Sequence, residues 1–125
     1  PLVESNHGTF DLVTAFEVLE HVPDVNRLMT DLVDLMKRPG ILLFSTILSD
    51  GEIHKNQRLQ WWYAAPRNGH ISLFTRTSLE RLAARNDINF GSFSETLHAV
   101  WNEFPAWAAH WLGGKTKLPT ASNAD

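Results

Sequence analysis

The stretch FDLVTAFEVLEHVPD, residues 10–24, decides the fold because it changes from apolar to acidic within a few positions. The run from Phe10 to Phe16 is too continuous for a strand with one face in water. It favours a strand that is covered on both faces, as in a parallel sheet. Three ionisable side chains follow this strand, namely Glu17, Glu20 and His21.

A helix is predicted to follow, because the carboxylate of Asp24 can accept an orphan backbone N–H as an N-cap. Apolar residues then recur at helical spacing. Lys37 and Arg38 suit the negative end of the helix dipole, and Pro39-Gly40 is expected to stop the helix.

A second apolar run, ILLFSTI at Ile41–Ile47, is typical of another buried strand. Strand, helix and strand therefore span Phe10–Ile47. This order predicts the right-handed βαβ unit of a parallel α/β sheet.

Three further helices are predicted after Ile47, and the first two precede the remaining strands. A short helix is expected at about Lys55–Tyr63. Thr77 with Glu80 fits a capping box, and the helix that it opens is expected to end near Asn86-Asp87.

Two strands are predicted at Ile88–Phe93 and Thr96–Trp101, and their short connection implies an antiparallel pair. Pro105–Leu112 is expected to form a last helix, with its proline in the first turn. Gly113–Asp125 lacks apolar content and is expected to be a disordered tail.

Composition excludes several classes of function. The net charge of −3 argues against a dedicated nucleic-acid binder, which usually has a basic face. The absence of cysteine excludes disulfides and thiol catalysis. No apolar run approaches the ~20 residues that span a bilayer, and no leader opens the chain. We therefore expect a cytoplasmic protein that binds neither nucleic acid nor membrane.

Three segments carry a resemblance to a known family: FDLVTAFEVLEHVPD, LVDLMKRPGILLFST and GHISLFTRTSLERLA. They resemble the class I S-adenosylmethionine-dependent methyltransferases, in the small-molecule branch that includes the ubiquinone-biosynthesis enzymes. The resemblance implies a partial Rossmann-like α/β fold that holds strands four to seven of the family sheet with their helices. It implies a mostly parallel sheet with an antiparallel C-terminal strand, and S-adenosylmethionine as the cofactor.

The glycine-rich turn and the ribose-binding acid of that family have no counterpart here. The seven glycines form no G-x-G-x-x-G between a strand and a helix. Residues 1–112 therefore look like the C-terminal half of a methyltransferase domain, followed by the tail at 113–125. Cofactor binding by this chain alone is not expected.

Ligands of an open parallel sheet bind beyond the carboxyl ends of its strands, and Glu17 stands at such an end. The resemblance implies a cofactor rim formed by Ala15, Phe16, Glu17 and His21. His21 and His70 are candidate bases for the acceptor. Alternatively, Glu17 is a solvated strand end, and each histidine is a satisfied loop residue. Glu20 is interpreted as a solvated or capping group.

Aromatic side chains form two groups of candidates. Trp61, Trp62 and Tyr63 would cover a flat acceptor, or would belong to the core. The Trp-rich C-terminal segment is expected to pack on the sheet or on a partner chain, rather than on a membrane. Its aromatic residues are Trp101, Phe104, Trp107 and Trp111.

No metal site is expected. EVLEH differs from the zinc-protease pattern H-x-x-E-H, because Glu17 stands where the first histidine would be. Pro23 also interrupts the helix that this pattern needs.

Two functions from different classes remain open. In the first, the whole protein transfers a methyl group from S-adenosylmethionine to a small-molecule acceptor. In the second, the chain is a non-catalytic module that associates with itself. A homodimer would then form through the unpaired edge of Phe10–Phe16, or through the Trp-rich C-terminal segment.

Overall fold

The computed structural model describes residues 9–50, 69 and 72–112. Its regular elements, in chain order, are β1 Phe10–Phe16, α1 Val25–Asp34, β2 Met36–Ser45, α2 Arg76–Arg85, β3 Asn89–Ser92 and β4 Leu97–Trp101. Two 3₁₀ segments, Leu19–His21 and Ala106–Leu112, complete the described structure. The predicted helix at Lys55–Tyr63 and the predicted disordered tail at Gly113–Asp125 lie outside the described residues.

The described strands form one sheet in the order β1-β2-β4-β3. β1 and β2 pair in parallel, as the predicted βαβ unit requires. β4 runs antiparallel to both of its neighbours, so β3 points in the same direction as β1 and β2. The expected antiparallel pair of strands and the opposed direction of the last strand are therefore confirmed.

α1 begins where the sequence predicts and ends earlier. The carboxylate of Asp24 accepts the backbone N–H of Arg27 at 3.0 Å, which confirms Asp24 as the N-cap. The helix stops at Asp34, because the N–H of Leu35 turns back to the carbonyls of Leu32 and Val33.

β2 starts five residues before the predicted Ile41–Ile47, at Met36, and ends at Ser45. The backbone N–H of Phe10 donates to the carbonyl of Leu35 at 2.7 Å, and Phe10 pairs with Met36. Pairing between β1 and β2 thus begins within two residues of the end of α1. The assignment of Lys37 and Arg38 to the last turn of the helix is wrong, since both lie in β2.

The two faces of the sheet are covered differently. The inner face carries Val13 and Ala15 of β1, Leu42 and Phe44 of β2, and Val100 of β4, and it packs against apolar residues of both helices. The outer face carries Ile41, Ala99 and Trp101. On that face the 3₁₀ segment Ala106–Leu112 places Ala108 against β2 and β4.

The prediction that β1 is covered on both faces is wrong. Phe10, Leu12 and Phe16 lie on the outer face and are 43%, 40% and 54% exposed. The 3₁₀ segment Ala106–Leu112 packs over β2 and β4, and no residue of β1 belongs to the apolar cluster that it forms with them. β1 is also the edge strand of the described sheet, because its sole strand neighbour there is β2.

α2 begins one residue after Thr75, which is its N-cap. The Thr75 hydroxyl accepts the N–H of Ser78 at 3.0 Å, and the Ser78 hydroxyl accepts the N–H of Thr75 at 2.9 Å. The predicted capping box of Thr77 with Glu80 is therefore wrong by two residues. The predicted end near Asn86 is confirmed, since Asn86 is the C-cap.

Thr75→Ala is expected to lower the free energy of unfolding by about 1 kcal/mol, because it removes the acceptor of an N-cap hydrogen bond. The matched control is Thr77→Ala, an exposed position in the first turn, which is expected to change stability by less than about 0.5 kcal/mol. Urea unfolding of both variants measures the difference. A larger loss for Thr77→Ala would contradict the assignment of the cap.

Candidate functional site

The carboxyl ends of β1 and β2 meet at one edge of the sheet, where Phe16 is paired with Ser45. This edge is where an open α/β sheet binds its ligands. Glu17 follows β1 directly, and the 3₁₀ turn Leu19–His21 comes next. The candidate site is built from this corner of the molecule.

Glu17 is held by Ser45 at the end of the neighbouring strand. Its backbone N–H donates to the Ser45 carbonyl at 3.1 Å and to the Ser45 hydroxyl at 2.9 Å. The same hydroxyl lies 3.2 Å from Oε2 of Glu17 and donates to it. The sequence prediction that Glu17 lies at the carboxyl edge of the sheet thus agrees with the structure, and its side chain is exposed.

Glu17 has a φ of +55°, in the left-handed region that residues with a Cβ rarely adopt. Such a conformation costs about 1–3 kcal/mol and occurs often at functional sites. The Ser45 contacts stabilise this conformation.

Glu20 is fully buried, at 0% exposure. Neither of its carboxylate oxygens has a hydrogen-bond partner in the described part of the chain. Oε2 lies 3.8 Å from Nε2 of His21, which is too long for a hydrogen bond. The interpretation of Glu20 as a solvated or capping group is wrong, because the 3₁₀ turn carries Leu19 and Glu20 inward together.

A buried carboxylate without a donor is costly, and native structures contain few of them. Each buried polar group without a partner in a native structure calls for an explanation, and a functional role is one of them. Sequence reasoning missed Glu20 because its burial depends on how the turn packs. The available signal was its position, three residues after Glu17 at a strand end.

His21 joins the turn to the segment around Gly69. Nδ1 of His21 lies 2.8 Å from the Gly69 carbonyl. A carbonyl can only accept, so Nδ1 carries the proton and Nε2 of the neutral ring keeps its lone pair. Nε2 is the atom that faces the Glu20 carboxylate, and the His21 side chain is 40% exposed.

A second bond links the same segments, from the N–H of Ser72 to the Glu20 carbonyl at 3.1 Å. Gly69 has a φ of +75°, and a Cβ there would meet Nδ1 of His21 at 3.4 Å. Glycine thus allows the carbonyl to approach the imidazole. The contact agrees with the alternative interpretation of His21 as a satisfied loop residue, and it also fixes the tautomer that a base needs.

The structure describes two of the other predicted site residues, and their side chains lie on opposite faces of β1. Ala15 is buried in the core on the inner face, whereas Phe16 points from the outer face into solvent. His70 and the predicted aromatic cover at Trp61, Trp62 and Tyr63 lie outside the described residues. Glu17 and His21 are thus the predicted rim residues that the structure places around the end of β1.

His98 is a second buried ionisable group, remote in sequence from the turn. Nε2 donates to the Thr46 carbonyl at 2.8 Å, so Nδ1 must accept from the Ser92 hydroxyl at 2.7 Å. The ring also packs against Phe44 and Phe90. Desolvation lowers the pKa of His98, the Thr46 hydrogen bond opposes this, and the charge of Arg76 lowers it further. Both ring nitrogens are satisfied in the neutral form, so His98 has a structural role.

Two further findings concern metal sites and membrane-spanning helices. Among residues 9–50, 69 and 72–112, no group of three His, Asp or Glu side chains is placed to hold a metal ion. Within the same ranges, no helix is long and apolar enough to cross a membrane.

Comparison with known proteins gives a family match and several short matches to relatives. The family model described as "Methyltransferase domain" matches residues 2–90. Ubiquinone biosynthesis O-methyltransferase of Colwellia psychrerythraea is 48% identical over 42 residues, which are 34% of this chain and 17% of that protein. The protein of the same name from Coxiella burnetii is 50% identical over 38 residues, or 30% of this chain and 16% of that protein.

A third relative, ubiquinone biosynthesis O-methyltransferase of Neisseria meningitidis serogroup C, is 41% identical over 46 residues, 37% of this chain and 19% of that protein. Each match thus spans less than a fifth of the relative's own length. The family match is longer, since it covers β1, α1, β2, α2 and the turn that carries Glu20. The resemblance to methyltransferases is confirmed, and the chain belongs to the methyltransferase domain family.

Proposed function

We propose that the whole protein transfers the methyl group of S-adenosylmethionine to a small-molecule acceptor, with Glu17 at the cofactor site. The observation that carries the proposal is the arrangement of Glu17, Ser45 and His21 at the carboxyl edge of the sheet. Family membership supports the reaction class. The relatives with matching segments are named as O-methyltransferases, which supports a hydroxyl acceptor.

We assign β1 and β2 to strands four and five of the family sheet, and β3 and β4 to strands six and seven. The parallel pair around α1 and the antiparallel direction of β4 support this assignment. The 125 residues contain no G-x-G-x-x-G, so the assignment places one wall of the cofactor site on this chain.

The chemistry follows from the groups at this wall. S-adenosylmethionine supplies a methyl group on a positively charged sulfonium, and the transfer is an in-line displacement that depends on positioning. The exposed Glu17 carboxylate would attract the positive groups of the cofactor. Ser45 positions that carboxylate through the 3.2 Å hydrogen bond.

His21 would act as the base for a hydroxyl acceptor. Its Nδ1 proton is committed to the Gly69 carbonyl, so the neutral ring takes up a proton at Nε2. The Glu20 carboxylate, 3.8 Å from Nε2, would favour the imidazolium that forms.

The test is a calorimetric titration of S-adenosylmethionine into the whole protein and its Glu17→Ala variant. Loss of the carboxylate is expected to weaken binding about tenfold, which corresponds to about 1.4 kcal/mol. Ser45→Ala is expected to weaken binding by a smaller factor, since it removes only the contacts that position Glu17.

The matched control is Glu95→Ala, an exposed carboxylate in the turn between β3 and β4. Its cofactor affinity is expected to be unchanged. Equal affinities of wild type and Glu17→Ala would remove Glu17 from the site. Micromolar binding by the 125-residue chain alone would contradict the assignment of a single wall to it.

A non-catalytic, self-associating role is the second candidate. The exposed outer face of β1 favours it, because Phe10, Leu12 and Phe16 lie beside an unpaired strand edge of the described sheet.

A further inference from the structure

We propose that Gly69 is a positioning residue, whose backbone carbonyl keeps His21 in the tautomer that can act as a base at Nε2. The inference rests on the proposed function, in which His21 takes up the proton of the acceptor. It starts from a competition at the imidazole. A neutral histidine has one ring proton, and an acceptor faces each of the two ring nitrogens of His21.

The two acceptors lie at different distances from the ring. The Gly69 carbonyl oxygen lies 2.8 Å from Nδ1, within hydrogen-bond range, whereas Oε2 of Glu20 lies 3.8 Å from Nε2. The hydrogen bond that one ring nitrogen makes decides which tautomer a neutral histidine adopts. The proton of His21 therefore stays on Nδ1, and Nε2 keeps the lone pair that a base needs.

Glu20 makes the second tautomer a competitor. Its carboxylate is 0% exposed, and neither oxygen has a hydrogen-bond partner within the described part of the chain. A proton on Nε2 would supply a donor to this carboxylate after a movement of the ring by about 1 Å. The His21 side chain is 40% exposed, which leaves room for such a movement. That tautomer would satisfy Glu20 and abolish the base, because Nε2 would already carry a proton.

Gly69 is suited to hold the ring against this competitor. Its φ is +75°, and a Cβ added there would lie 3.4 Å from Nδ1 and 3.6 Å from Cε1 of His21. A side chain at position 69 would thus disturb both the backbone conformation and the approach of the carbonyl to the ring. The N–H of Ser72 makes a second attachment to the turn, at the Glu20 carbonyl, and Leu19 anchors the turn in the core.

The catalytic triad of Ser, His and Asp shows how much a tautomer can matter. In that triad the aspartate keeps the histidine base in its correct tautomer, and its replacement by asparagine lowers kcat by about 10⁴. In the present chain a backbone carbonyl takes the part of the aspartate. The buried Glu20 carboxylate is the group that would stabilise the wrong tautomer.

The first experiment is nitrogen NMR of the whole protein, labelled with ¹⁵N, at about pH 8.5, above the usual histidine pKa. Long-range proton–nitrogen correlations separate a ring nitrogen that carries a proton from one that carries a lone pair, and His21→Gln identifies the signals of His21. The proton is expected on Nδ1. His98 is the internal control, since its Nε2 donates to the Thr46 carbonyl and it should show the opposite tautomer. A proton on Nε2 of His21, with or without one on Nδ1, would overturn the proposal.

The second experiment removes the positioning group. Gly69→Ala is expected to shift the His21 proton to Nε2 and to lower kcat by about 10², the lower end of what general base catalysis contributes. The KM for S-adenosylmethionine is expected to stay that of the wild type. Circular dichroism establishes that the variant is folded. The wild-type tautomer in Gly69→Ala would overturn the proposal, even if kcat falls.

A double variant tests the competitor. Glu20→Met combined with Gly69→Ala removes the carboxylate, so the fraction of His21 with its proton on Nδ1 is expected to rise above that of Gly69→Ala alone. Glu95→Met combined with Gly69→Ala makes the same chemical change at an exposed carboxylate and is expected to leave the tautomer of Gly69→Ala. A fraction that does not rise with Glu20→Met would overturn the competition on which the proposal depends.

The readouts separate this proposal from the proposed function, because the tautomer is measured without cofactor, acceptor or turnover. A proton on Nε2 in the wild type, together with weaker cofactor binding by Glu17→Ala, would overturn the role of Gly69 and leave the cofactor site in place. A proton that moves to Nε2 in Gly69→Ala while kcat stays unchanged would show that His21 is not the base. The proposal would then be overturned together with that part of the proposed function.

Discussion

Acidification below about pH 6.5 is expected to lower the free energy of unfolding, with His98 as the main cause. Burial lowers the pKa of His98 from its ordinary value of 6.5. Between the lowered pKa and 6.5, the unfolded chain binds a proton at His98 and the folded chain does not. The stability that depends on neutral His98 is complete above pH 6.5. It falls by at most about 1.4 kcal/mol per pH unit between that value and the lowered pKa of folded His98.

The hydrogen bonds explain why the folded chain resists this proton. Nε2 of His98 already donates to the Thr46 carbonyl, and Nδ1 accepts from Ser92. A proton on Nδ1 would remove that acceptor and charge a ring with 0% exposure. The positive charge of Arg76 opposes it further.

Urea unfolding at a series of pH values measures the effect. His98→Gln is expected to reduce the slope of stability against pH by about one proton, whatever its stability at neutral pH. His110→Gln removes an exposed histidine from the 3₁₀ segment Ala106–Leu112 and is expected to retain the slope of the wild type. Equal slopes for wild type and His98→Gln would show that His98 is not responsible.

Glu20→Met is expected to raise the free energy of unfolding by about 1–3 kcal/mol. Both Glu20 oxygens are buried without a hydrogen bond in the described part of the chain, and methionine fills a similar volume without polar atoms. Most substitutions of buried residues destabilise, so a gain would identify Glu20 as a residue retained for function.

The same urea unfolding, at neutral pH, measures this gain. Glu95→Met makes the same chemical change at an exposed position and is expected to alter stability by less than about 0.5 kcal/mol. In the whole protein, the stabilised Glu20→Met variant is expected to transfer methyl groups more slowly, since it loses the carboxylate beside His21. A destabilised variant would contradict the assignment of an unsatisfied carboxylate.

The part of the fold that depends on local signals could be predicted from the sequence. Apolar runs located β1 and part of β2, and Asp24 located the start of α1. The first half of β2 was not predictable in this way. It is a strand because Phe10 bonds to Leu35 and pairs with Met36, and both contacts join residues distant in sequence.

The site was predictable to a similar extent. A rule about sheets placed Glu17 at the carboxyl edge of the sheet, and in the structure Glu17 directly follows β1. The same rule identifies no role for Ser45, because the pairing of Phe16 with Ser45 had to be known first. The burial of Glu20 depends on how one 3₁₀ turn packs, and no pattern in EVLEH predicts it. The roles assigned to His21 and His70 stay predictions.

The position of β4 in the sheet determines when the sheet can be completed as the chain is synthesised. β4 is the last strand of the described chain to leave the ribosome, yet it lies between β2 and β3. β3 therefore has no neighbour in the sheet until Leu97–Trp101 has emerged, and the pairing of Phe44 with His98 must wait as well. Until then the nascent chain exposes one strand edge on β2 and another on β3, which is the period when a chaperone would be of most use.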